Sequence, residues 1–453
     1  LKKKIAKLLR IAPEEILKLH IRKRSLDARK KPELFYSYTV DVSASREKEL
    51  LHKGKNPQIS LCKEEHYHFP EAGEERLRER PLIIGTGPAG LFCGLMLARH
   101  GYRPILLERG SSVEERQKKV NAFWQGGTLD LQTNVQFGEG GAGTFSDGKL
   151  NTLVKDPLKR GQLVLELFTE FGADPSILYD HKPHIGTDVL AEVVKAMRQE
   201  IIRLGGTVRF DTQVTDLLVE QQNVSGVKVS FADSQTGVQT EETIKSSIVV
   251  LAIGHSARDT FSMLLAHQVP MEEKAFAVGL RIQHPQNMIN LSQYGREDAV
   301  ALGAANYKLT RQTKSGRGVY TFCMCPGGYV VNASSEAGRL AVNGMSYHDR
   351  AGENANSALI VAVTPADFPT AGPLGGIAFQ RTLEERAFAL GGGKIPVQLY
   401  GDFAANRPTV ALGDVEAENK QSPQAGYKIR SVGLTISGVI FLCVVAGTKG
   451  FWN

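Results

Sequence analysis

The stretch PLIIGTGPAGLFCGLMLARHGYRPILLERG, residues 81–110, decides the fold of this chain. Its apolar run Leu82–Ile84 predicts a buried strand that leads directly into the turn GTGPAG, residues 85–90. A helical pattern follows, then a second apolar strand at Ile105–Leu107 and the acid Glu108. This order of strand, glycine turn, helix, strand and acid is typical of units that bind dinucleotides. The sequence therefore predicts a Rossmann-like domain.

The three glycines of the turn have separate roles in such a unit. Gly85 lets the chain turn sharply, Gly87 leaves room for a pyrophosphate beside the backbone, and Gly90 lets the helix pack close to the strand. The N-terminus of the helix directs amide donors and partial positive charge at the phosphates. Glu108 lies 18 residues beyond Gly90, near the spacing of roughly 20 at which an acid binds the ribose hydroxyls.

Two later segments favour FAD over NAD as the dinucleotide. Polar and apolar residues alternate over 205–219 and 224–231, which predicts a β-meander. The next core strand is predicted at 248–254, IVVLAIG, where Ala252-Ile-Gly254 takes the place of an Ala-Thr-Gly turn. A meander between the first βαβ unit and the next core strand is common in disulfide-reductase-like and hydroxylase-like flavoprotein folds.

A glycine-rich segment lies between these two regions. The sequence NVQFGEGGAGTFSDGKL, residues 134–150, contains five glycines between positions 138 and 148. Such a loop lets backbone amides approach an anionic or flat ligand closely. Phe137, Phe145 and Leu150 favour a packed loop over a flexible surface loop. The predicted cofactor-binding residues are Gly85, Gly87, Pro88, Ala89, Gly90, Glu108, Arg109, Gly138, Gly140, Gly141, Gly143, Thr144, Val214, Ala252 and Gly254.

Candidate catalytic groups are few. His255 directly follows Gly254 and would lie near the cofactor, where an imidazole can act as acid or base. A ring that only packs on the cofactor edge is the alternative. Cys323 and Cys325 are candidates for an electron relay to a disulfide substrate. Their spacing is not Cys-x-x-Cys, and their apolar flanks predict a buried strand in which thiolate formation is suppressed.

Some features expected of other enzyme classes are missing from the sequence. No second GxGxxG with a strand and an acid occurs, so we expect no dedicated NAD(P)H domain. Reducing equivalents would come from the substrate, from a carrier protein or from NAD(P)H that docks transiently. His181 and His184 have helix-turn spacing, but Pro183 between them breaks a helix, so we predict no metal site.

Positive charge is concentrated at the N-terminus. Residues 1–31 carry twelve Lys or Arg and three acids, whereas the whole chain of 453 residues has a formal net charge of +7. Two short amphipathic helices are predicted here, one containing Ile5 and Leu8 and one containing Ile16 and Leu19, before a strand at 34–42. The charge suits nucleic acid or an acidic partner. A solvated basic face is the favoured interpretation, because no RNA-binding signature accompanies the charge.

Six longer motifs resemble a family of bacterial FAD-dependent dehydrogenases of the NAD/FAD-utilising type. They are ERGSSVEERQKKVNAFW (108–124), NVQFGEGGAGTFSDGKLNT (134–152), KPHIGTD (182–188), GHSARDTF (254–261), RGVYTFCMCPGGYVVNASS (317–335) and NGMSYHDRAGENANSALIV (343–361). The resemblance covers roughly residues 1–428. It implies a flavoprotein with oxidoreductase activity whose substrate is unassigned. The Lys-rich first 30 residues lack the continuous apolar run of a secretory signal, so we expect a cytoplasmic protein.

The chain departs from that family at both ends. We expect that it begins inside the family's N-terminal module and lacks a later glycine-rich segment, resembling GEGAGYAGGI, that completes the flavin site. Val397–Asp402 resembles the Gly-Asp motif that closes the flavin site in other FAD folds. It is a candidate to replace the missing glycine-rich segment. Residues 432–447 are mixed in polarity and shorter than the roughly 20 residues of a spanning helix, so we expect no membrane anchor. Five scattered cysteines favour a reducing compartment.

These observations predict an α/β protein with a Rossmann-like FAD-binding domain, a mixed, mostly β second domain and a small N-terminal α/β module. The predicted divisions are a basic module (1–65), a linker (66–80), an FAD-binding domain (81–270), a substrate domain (271–420) and an atypical tail (421–453). In the substrate domain we predict strands at 318–322 and 328–331 and helices at 353–359 and 380–390.

Three functions remain open at this point. The first is an FAD-dependent oxidoreductase that passes a hydride between a small molecule and flavin. The second is a flavin-dependent enzyme acting on RNA or a carrier docked by the basic N-terminus. The third is a non-catalytic remnant that has lost the element closing the flavin site. The sequence does not specify the oligomeric state.

Overall fold

The computed structural model describes residues 1–53, 56–152, 154–233, 236–297 and 301–412, with short strands at 419–420, 427–429 and 439–441. The predicted tail lies outside these residues except for the last two strands. The chain divides into two compact units: Leu1–Glu74 with Lys149–Ile185, and Glu75–Gly148 with Gly186–Asn453. Residues 149–185 thus group with the N-terminal unit, whereas the sequence analysis assigned them to the FAD-binding domain.

The helices and strands follow one another along the chain in a mixed order. They are α1 (Lys2–Leu9), β1 (Ile16–Lys30), β2 (Glu33–Ala44), α2 (Glu47–Lys53), β3 (Leu82–Ile84), α3 (Pro88–Arg99), β4 (Ile105–Leu107), α4 (Val113–Trp124), α5 (Arg160–Glu170), α6 (Thr187–Arg203), β5 (Thr207–Arg209), β6 (Thr212–Glu220), β7 (Asn223–Ala232), β8 (Gln239–Lys245), β9 (Val249–Leu251), α7 (Arg258–Ala266), β10 (Phe276–Pro285), α8 (Gln286–Tyr294), β11 (Thr310–Gln312), β12 (Gly318–Cys325), β13 (Tyr329–Asn332), β14 (Val342–Met345), β15 (Asn354–Val363), α9 (Gly375–Gly391), β16 (Ile395–Leu399), α10 (Tyr400–Ala404), β17 (Asn419–Lys420), β18 (Tyr427–Ile429) and β19 (Val439–Phe441).

A four-stranded parallel sheet in the order β5-β4-β3-β9 forms the centre of the second unit. Leu82, Ile83 and Leu106 have no exposed surface, because helices and strands cover both faces of the sheet. β6, β7 and β8 form the predicted antiparallel meander. The two predicted strands, the helix between them and the next core strand are all confirmed.

The C-terminal half of this unit is mostly β, as predicted. Seven strands pair in the order β11-β12-β15-β10-β19-β16-β18, and a three-stranded sheet has the order β14-β13-β17. The predicted strands at 318–322 and 328–331 are confirmed as β12 and β13, and the helix at 380–390 lies within α9. No described helix is long and apolar enough to cross a membrane.

The helix predicted at 353–359 is wrong, because residues 354–359 belong to β15. β15 pairs with β10 on one side and β12 on the other, so its backbone groups are satisfied by two neighbours. Ala355, Ala358 and Ile360 are buried with it. Pairing with two neighbouring strands has outweighed the weak strand propensity of the segment ENANSA.

The second helix predicted in the N-terminal module is also wrong. Pro13–Glu15 forms one short 3₁₀ turn, and the chain becomes extended at Ile16. Leu19 and Ile21 alternate with polar residues and face Val42 and Val40 of β2. The alternation of apolar and polar residues, with a period of two, is that of a strand. The leucine and isoleucine residues at 16, 17 and 19 also fit a helix, which is why the sequence is ambiguous here. The predicted α1 and the strand at 34–42 are confirmed.

A buried guanidinium joins the two halves of the second unit. Arg258 at the start of α7 contacts Glu336 and donates from Nη1 and Nη2 to the Glu384 carboxylate at 2.8 and 2.7 Å. Its side chain is 10% exposed, and these two acids raise its pKa against the effect of burial. The ion pairs therefore hold α7 against α9 and the loop that follows β13.

Replacing Arg258 by glutamine is expected to lower the free energy of unfolding by about 3 kcal/mol, because the enclosed Glu384 carboxylate loses its cation, whereas Glu336 keeps its pair with Arg381. Chemical denaturation measures this change. Arg317→Gln is the matched control, since its pair with Asp367 is more exposed and contributes little. Equal losses in both variants would contradict a special role for Arg258.

Candidate functional site

The carboxyl ends of β3, β4 and β9 meet at one edge of the parallel sheet. The glycine turn, the pair Glu108-Arg109 and the segment Ala252–His255 follow these strands directly. They line a cleft of about 540 Å³. Ligands of open α/β sheets bind outside the carboxyl ends of the strands, so this is the expected place for a dinucleotide.

Most of the predicted cofactor-binding residues lie around this cleft. The structure brings together Gly85, Gly87, Pro88, Ala89, Glu108, Arg109, Gly138, Gly141, Gly143, Val214, Ala252 and Gly254, and the catalytic candidate His255 lines the same cleft. The remaining predicted residues, Gly90, Gly140 and Thr144, are next to the cleft but do not line it.

Two glycines let the first turn pack tightly against its neighbours. Gly85 has φ +100°, and a Cβ there would lie 2.5 Å from the carbonyl oxygen of Ala252. A Cβ at Gly90 would lie 1.9 Å from the carbonyl oxygen of Gly85. Any side chain at either position would force β3, β9 and α3 apart. The N-terminus of α3 consequently borders the cleft at Gly87–Ala89.

The Glu108 carboxylate connects the two glycine-rich segments. Oε2 accepts hydrogen bonds from the Thr86 amide at 2.8 Å and its hydroxyl at 2.9 Å. Oε1 accepts from the amides of Gly110 and Gly138, each at 3.0 Å. A carboxylate has about four acceptor positions, so a ribose hydroxyl would share an oxygen with a protein donor. The sequence predicted a ligand contact for Glu108 but not this structural role.

The glycine-rich loop lies directly against the first turn. The Gly140 amide donates to the carbonyl oxygen of Thr86 at 2.9 Å. A Cβ at Gly141 would lie 3.0 Å from the Cα of Gly87. Thr144 is fully buried, and its hydroxyl lies 3.4 Å from the carbonyl oxygen of Glu139. Gly140 and Thr144 therefore shape the loop from behind, while the segment around Gly141 forms the cleft wall.

Arg116 holds this loop from inside the protein, and the sequence analysis did not identify it. Its fully buried guanidinium donates to the carbonyl oxygens of Asn134, Val135 and Glu139 at 2.9, 3.0 and 2.6 Å. Burial lowers its pKa to about 10, which leaves it protonated at neutral pH. A signal was present in the sequence. Arg116 occupies a position in the buried stripe of α4.

Glu139 is a second buried charge-bearing group in the loop. Oε2 accepts a hydrogen bond from the Val113 amide at 2.8 Å, and Oε1 lies 3.4 Å from Nε of Arg198. Burial of the carboxyl raises its pKa to about 7 despite these two neighbours. The loop therefore contains a carboxyl group that titrates near neutral pH.

Arg109 closes one side of the cleft. Its guanidinium donates to Oδ2 of Asp259 at 2.7 Å and lies 4.5 Å from the centre of the Phe137 ring. Val214 in β6 adds an apolar contact on the wall. This part of the cleft is thus lined by the Arg109 cation, which is already paired with Asp259, and by the apolar side chains of Phe137 and Val214.

His255 lies at the cleft edge that follows β9. The cleft leaves part of its surface accessible, but the protein atoms around it and the Arg258 guanidinium lower its pKa below the ordinary value. The shift favours the neutral imidazole, in which one ring nitrogen can accept a proton.

The two cysteines lie elsewhere. Cys325 is fully buried at the end of β12, where its Sγ lies 3.3 Å from Nη2 of Arg281 and 3.2 Å from the carbonyl oxygen of Cys323. Neither cysteine lines the cleft. Within the described ranges, no group of three or more His, Cys, Asp or Glu side chains could hold a metal ion.

Family models match nearly the whole chain. A model described as "FAD binding domain" matches residues 80–259, and one described as "FAD-dependent protein, C-terminal domain-like" matches residues 275–435. A domain of unknown function matches residues 1–43. The first match contains nearly all the segments that line the cleft and also residues 149–185 of the N-terminal unit, and the second contains β10 to β18 of the mostly β part of the second unit.

Individual relatives include one with high sequence identity. An uncharacterised protein of Clostridium beijerinckii is 47% identical over 436 residues, which are 95% of this chain and 79% of that protein. A dual trans-enoyl reductase/FAD-dependent monooxygenase of Aspergillus terreus is 27% identical over 220 residues, 44% of this chain and 28% of that protein.

Solved structures of flavoproteins also align with the chain. The flavin-dependent monooxygenase PieE is 16% identical, with 66% of this chain and 44% of that chain covered at a TM-score of 0.30. A flavoprotein/dehydrogenase of Cytophaga hutchinsonii is 13% identical, with 68% and 61% covered at a TM-score of 0.31.

Replacing Glu139 by glutamine is expected to change how stability depends on pH. The pKa of this carboxyl is about 7 in the folded chain and 4.5 in the unfolded chain, so folding favours the protonated form. The free energy of unfolding should therefore fall as pH rises from about 4.5 to above 7, by about 3 kcal/mol in total. Glu139→Gln should remove this fall.

Denaturation curves between pH 5 and 8 measure the effect. Glu115→Gln is the control, because Glu115 is an exposed residue of α4 that pairs with Lys118. Identical pH profiles for wild type and Glu139→Gln would show that the buried carboxyl does not titrate in this range.

Proposed function

Since the chain belongs to the family of FAD-dependent proteins, we propose that it is an oxidoreductase that passes a hydride between a small molecule and FAD bound in the cleft. The observation that carries this proposal is the convergence of two glycine-rich segments, a helix N-terminus and Glu108 on one cleft. No other described part of the chain combines these features.

The residues around the cleft fit the ADP half of FAD. Amides at the N-terminus of α3 and the glycine surfaces at 87 and 141 would hold the pyrophosphate, whose negative charge the helix dipole favours. Glu108 would accept from the ribose hydroxyls. The wall that includes Gly143, Val214 and Gly254 would hold the remainder.

The chain supplies binding, orientation and proton transfer, while FAD, when bound, supplies the hydride chemistry. The loop at 138–143 is held from behind by Arg116, so its cleft surface is already formed. Neutral His255 would take a proton at a ring nitrogen when an alcohol or amine substrate loses its hydride. The electron partner would be NAD(P)H docking transiently, a carrier protein or the substrate itself.

Replacing Gly87 by glutamate is expected to abolish flavin binding. The new carboxylate would project into the cleft beside the pyrophosphate position and repel it. The visible spectrum of the purified chain, with and without added FAD, measures occupancy. Gly73→Glu is the matched control, since a Cβ there meets nothing within 4 Å. A folded wild-type chain that stays colourless with excess FAD would overturn the proposal and favour the remnant interpretation.

The reaction class can be tested on the flavin-loaded chain. Anaerobic addition of NADH, NADPH or pooled small metabolites should bleach the visible absorbance of the flavin, and a suitable acceptor should restore it. The Aspergillus relative is named in part as a monooxygenase, so oxygen uptake with NAD(P)H forms a second arm. Oxygen consumption coupled to hydroxylation of a substrate would identify the protein as a monooxygenase and exclude the dehydrogenase assignment.

His255→Gln is expected to slow flavin reduction by an alcohol or amine about 100-fold or more, while flavin occupancy stays unchanged. The wild-type rate should fall as pH drops below the lowered pKa of His255, because the protonated ring cannot accept a proton. Stopped-flow reduction across pH gives both quantities. An unchanged rate in the variant would restrict His255 to a packing role.

A further inference from the structure

We propose that the open face of the β1–β2 hairpin is a docking surface for single-stranded RNA. The open face consists of Lys18, His20, Lys23, Phe35, Ser37 and Thr39, all of them exposed. The surface belongs to the N-terminal unit, and the inference is independent of the flavin cleft and its function.

Strand register assigns each side chain to one of the two faces of the hairpin. Leu19 opposite Val42 and Ile21 opposite Val40 lie on the face that packs against α1. Side chains alternate along each strand, so Lys18 opposite Ser43 and Lys23 opposite Thr39 lie on the other face. All six residues are exposed, and the segment containing Cys62 and Glu64 reaches this face only beside Arg22 and Asp41.

The open face has unpaired cations and no unpaired acid. Its two acids are both occupied: Arg22 pairs with Asp41, and Arg29 pairs with Asp27 through a 2.6 Å contact. Lys18 and Lys23 form no ion pair in the part of the chain that the structure describes. Their charges are therefore free to meet phosphates, which lysine binds as a point charge.

Phe35 supplies an aromatic surface between these cations and the hairpin end. It lies opposite Asp27 in the register and is 58% exposed. Single-stranded nucleic acids bind to sheet surfaces through bases stacked on aromatic rings, with phosphates held by nearby basic side chains. Paired bases in a duplex are already stacked, so an exposed ring on an open sheet favours single strands.

The clustered lysines of α1 create an unfavourable electrostatic energy that an external polyanion would reduce. Lys2, Lys3 and Lys4 occupy the first turn, where the helix dipole disfavours positive charge, and the helix contains no acid. Lys3 and Lys7 are four residues apart and repel each other. The apolar residues Ile5 and Ala6 are buried against the hairpin, so they cannot insert into a membrane.

The charge of the whole unit supports the same partner. Residues 1–74 and 149–185 together contain 22 Lys or Arg and 16 Asp or Glu, a formal net charge of +6 out of +7 for the chain. Such an asymmetry draws a polyanion to this unit over a distance of about 8 Å at physiological salt.

Fluorescence anisotropy of a labelled oligouridine of about 20 nucleotides, titrated with the full chain at roughly 50 to 200 mM salt, tests the proposal. Lys18→Ala with Lys23→Ala should weaken binding and make the slope of log K against log salt shallower by about 1.4, since each lost phosphate contact contributes about 0.7. Phe35→Ala should weaken binding about 5-fold or more with the slope unchanged, and Phe35→Trp should restore it.

Lys308→Ala with Lys314→Ala is the matched control, because it removes two exposed lysines from the other unit and should leave affinity unchanged. Three results would overturn the proposal: no binding at the lowest salt, equal losses in the control, or no effect of Phe35→Ala together with equal affinity for duplex RNA or heparin. Binding to vesicles of anionic phospholipid with no binding to oligouridine would assign the surface to a membrane instead.

Discussion

A buried guanidinium without a carboxylate hydrogen bond maintains the cleft wall. Arg116 directs its donors at three carbonyl oxygens of the loop between residues 134 and 139, so the loop cannot relax without leaving either the cation or those oxygens unsatisfied in the interior. Held in this way, the loop presents its glycine surface to the first turn. Glu108 connects the loop and the turn from the cleft side. The geometry of the cleft thus rests on an internal polar constraint as well as on the parallel sheet.

Buried polar side chains with protein partners also occur at the boundary between the parallel sheet and the mostly β half of the unit. Arg258 is enclosed by two acids, and Trp124 donates from its indole nitrogen to the carbonyl oxygen of Asn332 at 2.9 Å. These buried polar contacts define one relative placement of α4, α7 and α9 because alternatives would leave charged or polar groups unpaired. Apolar packing alone tolerates small shifts that such contacts do not.

Much of the nucleotide-binding part could be predicted from sequence because its signals are local. Glycine at 85 and 90 indicates that another backbone segment lies very close. Apolar runs such as Leu82–Ile84 indicate a strand that is buried on both faces. β15 could not be predicted in this way, since its strand pairing depends on β10 and β12, which are distant in sequence. Arg116 was missed for a related reason: its role depends on carbonyl groups of a loop about twenty residues away, and arginine usually indicates a solvent-exposed position.

The four protein donors on Glu108 have a consequence for how a nucleotide enters the cleft. Because hydrogen bonds to this carboxylate tie the two loops together within the protein, ordering of the loops adds little to the entropic cost of binding a ligand. The proposed nucleotide would consequently meet loops that are already held in place. Association should be governed by how quickly the ligand reaches the cleft mouth and by desolvation of its phosphates, with little contribution from loop folding.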